Sequence, residues 1–259
     1  MNIYVFVKQV PDTEARIRVN SQGNGIVTDE ITFMDSPYDE YAVEEAIKTA
    51  ENNPGSTVTA VTIGPDRAVS LLRDDLAKGV NEAVHIKTDE FGDNDALTTA
   101  KIIAAFLKDK QYDLIFFGNK AYGSDNSLVP SMAASLLNIP ILNVVVKLKI
   151  DGKKATAERQ VEGMTETVEA QMPCAISAQK GLNEPRIKSL KGIMAAKKKE
   201  IPVITPDQLG LDSKSLAKGL NLIKMTPPQS KSKGKIIESE PEVAAKELAD
   251  YLKNELKLI

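Results

Sequence analysis

Asp113-Leu114-Ile115-Phe116-Phe117-Gly118-Asn119-Lys120-Ala121-Tyr122-Gly123-Ser124-Asp125-Asn126-Ser127-Leu128-Val129-Pro130 is the stretch that decides the fold. Leu114 to Phe117 is apolar without polar alternation, the pattern of a parallel strand buried on both faces. It stops at Gly118. A polar loop follows, then apolar residues at helical spacing: Leu128, Met132 and Leu136, with Leu137 beside them. Strand, loop and helix start in that order aim several backbone N–H groups at one point beyond the strand's carboxyl end, where open α/β sheets take nucleotides and other anions. The loop carries neither a P-loop nor a dinucleotide-binding glycine pattern. By itself it marks a place and names no ligand, and a plain strand-to-helix connection reads the same way.

Upstream, the same alternation repeats. Ile3 to Val10 reads as a buried strand ended by Pro11-Asp12, and Arg16–Asn20 with Ile26–Thr28 reads as an inserted hairpin turning at Gly23-Asn24-Gly25. Ser36-Pro37-Tyr38-Asp39 is a helix start, with Ser at the N-cap, Pro at the first position and a carboxylate three residues on. That helix runs to about Asn52. Thr57 to Ile63 is a strand, Val69, Leu72, Leu76 and Ala77 mark a helix closed by Gly79, Ala83 to Ile86 is a short strand, and Asp95 to Lys110 is a helix. Four strand-then-helix units with short connections predict an α/β fold, a Rossmann-like and mostly parallel sheet with helices on both faces.

Downstream the pattern changes. The helix after Ser127 ends near Asn138, and Val144–Ile150, Ala155–Val161 and Thr165–Ala170, separated by Asp151-Gly152 and Glu162-Gly163, read as an antiparallel strand extension. After Ala178 the periodicity is lost. Pro185, Pro202, Pro206, Pro227 and Pro228, the run Lys197-Lys198-Lys199 and the polar stretch 229–235 read as an extended C-terminal arm. It ends in an amphipathic helix near 242–256, with Ser239 and Glu242 in capping-box relation. The expected division is a nucleotide-binding domain over 1–180 and an arm over 181–259. An arm of this length packs either on another chain or back on its own domain.

The 259 residues are 42% hydrophobic and 27% charged, with a net charge of −3, so no general electrostatic attraction to nucleic acid or anionic membrane is expected. The single cysteine, Cys174, lies in an apolar run and reads as a small buried thiol; the single histidine, His85, lies in a strand and reads as structural. One of each leaves little for a multi-His metal site or Cys/His catalysis. The chain enters its first strand at Ile3 without a signal or transit pattern, and no run is long enough to insert in a membrane, so a cytoplasmic protein is expected.

The arm carries the most specific words. Leu182-Asn183-Glu184-Pro185-Arg186, Ser189-Leu190, Ile193-Met194 and Ala196-Lys197-Lys198-Lys199 resemble the signature segment of electron transfer flavoprotein beta subunits. The resemblance continues through Val7 to Thr13, Tyr41 to Ala46, Gly64-Pro65, Gly118 to Asp125, Glu158-Arg159 and Glu166-Thr167, in order along nearly the whole chain. It implies a heterodimer with an alpha subunit that holds most of a redox-active FAD, and AMP or a second FAD in this subunit. It also implies electron transfer from flavin dehydrogenases, such as acyl-CoA dehydrogenases, to an electron-accepting quinone reductase or other acceptor. Two other readings remain. One is a bifurcating or NADH-linked complex, towards which Pro11-Asp12-Thr13 leans, and the other is a stand-alone adenine-nucleotide-binding module, against which the arm argues.

Carried over by position, the resemblance places cofactor binding at Phe6, at Ser36, Pro37, Tyr38 and Asp39, at Ile63, and at Gly118, Asn119, Lys120, Ala121, Asp125, Asn126, Ser127, Leu128 and Val129. Asp39 should face ribose, water or the helix's own amides, because a carboxylate repels phosphate. Leu190 matches the leucine that anchors partner dehydrogenases, and Lys197, Lys198 and Lys199 would steer acidic partners. Leu128 cannot donate a side-chain hydrogen bond and Pro130 has no N–H, so this loop departs from the family at the phosphate end. Gln160 stands where some members carry Glu.

Overall fold

The computed structural model describes residues 1–88, 95–212, 214–228 and 234–259. The first half holds β1 (Asn2–Val7), β2 (Gln9–Pro11), β3 (Phe33–Asp35), α1 (Pro37–Glu51), β4 (Thr57–Gly64), α2 (Val69–Lys78), β5 (Glu82–Lys87), α3 (Ala96–Leu107), β6 (Leu114–Gly118) and α4 (Val129–Leu137). The second holds β7 (Ile141–Asp151), β8 (Lys154–Val161), β9 (Met164–Gln171), β10 (Cys174–Ala178), α5 (Leu190–Lys198), β11 (Val203–Ile204) and α6 (Pro241–Asp250). Among the described residues one sheet runs in the order β11-β5-β4-β1-β6-β10-β7-β8-β9, parallel as far as β7 and antiparallel through β8 and β9.

β6 shows why its sequence lacks alternation. Leu114 and Phe116 join the core under α1 and α2, while Ile115 and Phe117 join the core under α3 and α4. β1 divides the same way, Ile3, Val5 and Val7 to one face and Phe6 to the other. Each of these central strands therefore contributes apolar burial to both layers, which fixes it in the middle of the sheet.

Several elements differ from the sequence reading. The first strand breaks at Lys8, and Gln9–Pro11 pairs instead with Phe33–Asp35 as a separate ribbon. The expected hairpin is reduced to one bridge, Val19 to Ile26. Cys174–Ala178 is a fully buried strand between β6 and β7, so the antiparallel extension is joined to the parallel sheet through the chain's own return. The arm is not extended at its start: Leu190–Lys198 is a helix against α2, and Val203–Ile204 adds to the sheet edge beside β5. In α6 the N-cap is Glu240 with Pro241 at the first position. Ser239 caps nothing and donates from Oγ to Glu247 Oε1 at 3.3 Å. Proline's preset φ supplies the helix start there without a side-chain cap.

Lys78 ties α2 to the start of α1. Its ammonium lies 3.1 Å from Asp35 and 3.2 Å from Asp75, both buried. Burial holds both carboxyls above their usual range against the pull of Lys78. His85 is buried in β5, its Nε2 donating to the Gly64 carbonyl at 2.8 Å, a role within the sheet.

Candidate functional site

At the carboxyl ends of β4, β1 and β6 the strand order diverges on either side of β1, the crevice in which doubly wound sheets bind ligands. Asp39, in the first turn of α1, closes the bottom of this crevice. Its carboxylate accepts from the Lys8 amide at 2.8 Å and the Gly118 amide at 3.0 Å, joining α1 to β1 and β6. Burial pushes its carboxyl up to about 7, the Lys8 and Gly118 amides opposing. Gly118 permits the approach, since a Cβ there would stand 2.3 Å from Asp39 Oδ1. Ser36 caps α1 by position, yet its hydroxyl turns to the loop after β6, accepting from the Tyr122 amide at 3.2 Å and donating to the Lys120 carbonyl at 3.5 Å.

Above this floor is a cavity of about 400 Å³. Phe6, Val61, Ile63, Ile103 and Phe117 line its apolar side, with Phe6 and Phe117 stacked at 5.3 Å between ring centres. Gly118, Lys120, Ala121 and Asn126 to Pro130 also line it, as do Lys8 and Asp39. In that loop Asp125 and Ser127 take positive φ, 47° and 52°, and Leu128 returns to the right-handed region. A left-handed residue followed by a right-handed one turns successive N–H groups to the same side, an anion-binding concavity. Among the described residues the amides of Asn126, Ser127 and Val129 donate to nothing, while that of Leu128 bonds Asn126 Oδ1 at 3.3 Å. Lys120 reaches Asp125 at 3.0 Å and lies over the Tyr38 ring.

Ten of the fifteen positions expected to hold a cofactor line this cavity. Ser36, Pro37, Tyr38, Asn119 and Asp125 are not among its lining residues. Asp39 spends both oxygens on backbone amides just past the end of β1 and at the end of β6 rather than on its own helix, because these strand ends bring orphan donors within reach. Sequence reasoning missed Val61, Pro65, Asp95, Thr99 and Leu220 in the wall. Val61 was within reach, being two residues from Ile63 on the same strand face. Leu220 carried no local signal, since the arm brings it from a distant part of the chain.

On the far side of α1 and α2, the arm's signature words form a brace. Arg186 donates to Glu44 and Glu51 with all three guanidinium nitrogens, and Asn183 Nδ2 donates to Glu45 Oε2 at 2.9 Å. Gly192 lets α5 lie against the Ala77 carbonyl, which a Cβ would meet at 2.2 Å. Ser189 caps α5 by accepting from the Gly192 amide. This mounting leaves Leu190 exposed over 76% of its surface, beside exposed Lys191. Lys197, Lys198 and Lys199 are exposed too, and Lys199 also bends back to donate to the Val80 and Asn81 carbonyls just before β5.

A family model described as "Electron transfer flavoprotein domain" matches residues 26–209. Over 260 aligned residues, with both chains fully covered, the sequence is 40% identical to the electron transfer flavoprotein subunit beta of Bacillus subtilis (strain 168). The chain belongs to the electron transfer flavoprotein beta-subunit family. A Syntrophomonas wolfei beta subunit is 36% identical over the whole of this chain and 98% of its own, and the mitochondrial beta subunit of Oryza sativa subsp. japonica 34% over all of both. Electron transfer is the role that comes with this beta-subunit family. Among the described residues no helix is long and apolar enough to cross a membrane.

Proposed function

We propose that this beta subunit pairs with an alpha subunit holding the redox FAD, and itself holds AMP in the cavity at the ends of β4, β1 and β6. The carrier so formed takes electrons from flavin dehydrogenases and delivers them to a quinone reductase or other acceptor, in the cytoplasm. The observation that carries the nucleotide half is the cavity: an apolar slot with stacked Phe6 and Phe117, lined also by Asn126, Ser127 and Val129, whose amides donate to no group among the described residues. A purine ring fits the first and a phosphate the second. A second FAD has more than twice the bulk of AMP, and a cavity of about 400 Å³ favours the smaller ligand.

The residues fit an adenylate despite Leu128 and Pro130, because the amides come from the backbone and the lost side-chain donors leave Lys120 and Lys8 to supply charge. FAD, when bound to the heterodimer, supplies the redox chemistry. The part of this chain is to anchor the nucleotide, shape the surface offered to the alpha subunit, and present Leu190 on its brace to the dehydrogenase.

The test is reduction of the purified heterodimer. Substrate-charged acyl-CoA dehydrogenase should bleach its flavin, and NADH alone should not. Leu190→Ala should raise KM for the heterodimer about tenfold while leaving flavin content unchanged. Rapid reduction by NADH would replace this reading with the NADH-linked one.

A further inference from the structure

Asp95 begins α3 as its N-cap, with Oδ1 accepting from the Thr98 amide at 2.7 Å. Capping takes one oxygen of a carboxylate. The other, Oδ2, accepts two more amides from the arm, Gly219 at 2.6 Å and Leu220 at 3.2 Å. Nearly two turns on, Lys101 Nζ donates to the Ser215 carbonyl at 3.0 Å, and Leu216 packs against the core under α3 and α4. The arm is thus stitched along α3 by a charged acceptor, a charged donor and an apolar plug. Gly219 fits this seam closely, since a Cβ would stand 3.3 Å from Asp95 Oδ2.

The seam ends at the cavity. Asp95 and Leu220 both line it, and Leu220 keeps 74% of its surface open. An apolar side chain held open at the rim of an apolar slot becomes favourable once a ligand ring covers it.

We propose that Leu220 forms part of the wall of the nucleotide cavity and that Asp95 is the positioning residue that holds the 215–220 segment carrying it, so that nucleotide binding and arm placement are coupled. The proposal rests on the adenylate reading above and adds to it a contributor from the arm. Coupling is reciprocal: a nucleotide that binds better to the latched arm stabilises the latch, and any change that loosens the latch weakens the nucleotide by the fraction of molecules left unlatched.

The experiment uses the heterodimer stripped of nucleotide and titrated with AMP, with amide hydrogen exchange followed over 214–222. AMP should slow exchange of the Gly219 and Leu220 amides at least tenfold. Asp95→Asn keeps a good N-cap but loses the charged acceptor, and should weaken AMP about tenfold and abolish that protection. Leu220→Ala should weaken AMP severalfold without altering the exchange of Gly219 in the free protein. Exchange at 219 and 220 unchanged by AMP, or Asp95→Asn binding AMP as tightly as the wild type, overturns the latch while leaving the nucleotide site standing. A wild-type heterodimer that binds no AMP overturns both.

Discussion

Gly118 and Asp39 meet where β1, β6 and α1 come together, and single atoms decide the outcome there. Any side chain at 118 collides with the Asp39 carboxylate and its backbone, a contact that cannot be relieved by turning a flexible chain end. Gly118→Ala should therefore cost about 3 kcal/mol in chemical denaturation. A change within about 0.5 kcal/mol would show that the approach relaxes freely. Asp39 should make stability depend on pH. Burial, helped by the charge of Asp35 and opposed by the Lys8 and Gly118 amides, lifts its carboxyl from 3.8 to about 7. Between those values the folded chain holds a proton that the unfolded chain releases. Stability is thus fullest below about pH 4 and declines as pH rises to about 7, by at most about 4 kcal/mol. Asp39→Asn should flatten this interval of the profile, measured as the difference from wild type in denaturation midpoints between pH 4 and 8. An unchanged slope would assign the titration to Asp35 or Asp75, which burial shifts in the same direction.

The elements divide by how local their causes are. β6 was legible because a strand buried on both faces must be apolar throughout, β1 and β4 because apolar residues dominate their runs, and α1 because Ser36-Pro37 carries its own start signal. The end of α4 was legible as well, with Asn138 taking the left-handed conformation that closes a helix. β10 was hidden because five residues after a turn carry too little periodicity to separate a strand from a loop; its place comes from pairing with β6 and β7. α5 was hidden behind prolines and lysines, and what makes it a helix in place is tertiary: Gly192 on α2 and Arg186 on α1. Arg186→Ala should leave Glu44, 7% exposed at its side chain, facing the brace without its cation, and should cost about 2 kcal/mol. Arg186→Lys keeps the charge but not the two-pronged geometry, so it should recover part of that loss. Equal stability of all three proteins would show that Arg186 does not brace α1.

For the whole molecule, the sheet gives one crevice and the arm gives a surface. Of the candidate site, the stretches at strand ends could be located from sequence because a parallel sheet always presents its binding crevice there. The geometry of the loop before α4 could not, since positive φ at Asp125 and Ser127 is a conformation that neither residue type dictates. The arm beyond Gly219 leaves Leu222, Ile223, Ile236, Leu258 and Ile259 exposed, apolar surface that a heterodimer with an alpha subunit would cover. In the proposed function this surface belongs to a carrier with one redox flavin and one adenylate. Denaturing the heterodimer purified with its alpha subunit and separating the released nucleotides tests it directly. One FAD and one AMP per heterodimer are expected; two FAD and no AMP would overturn the proposed function.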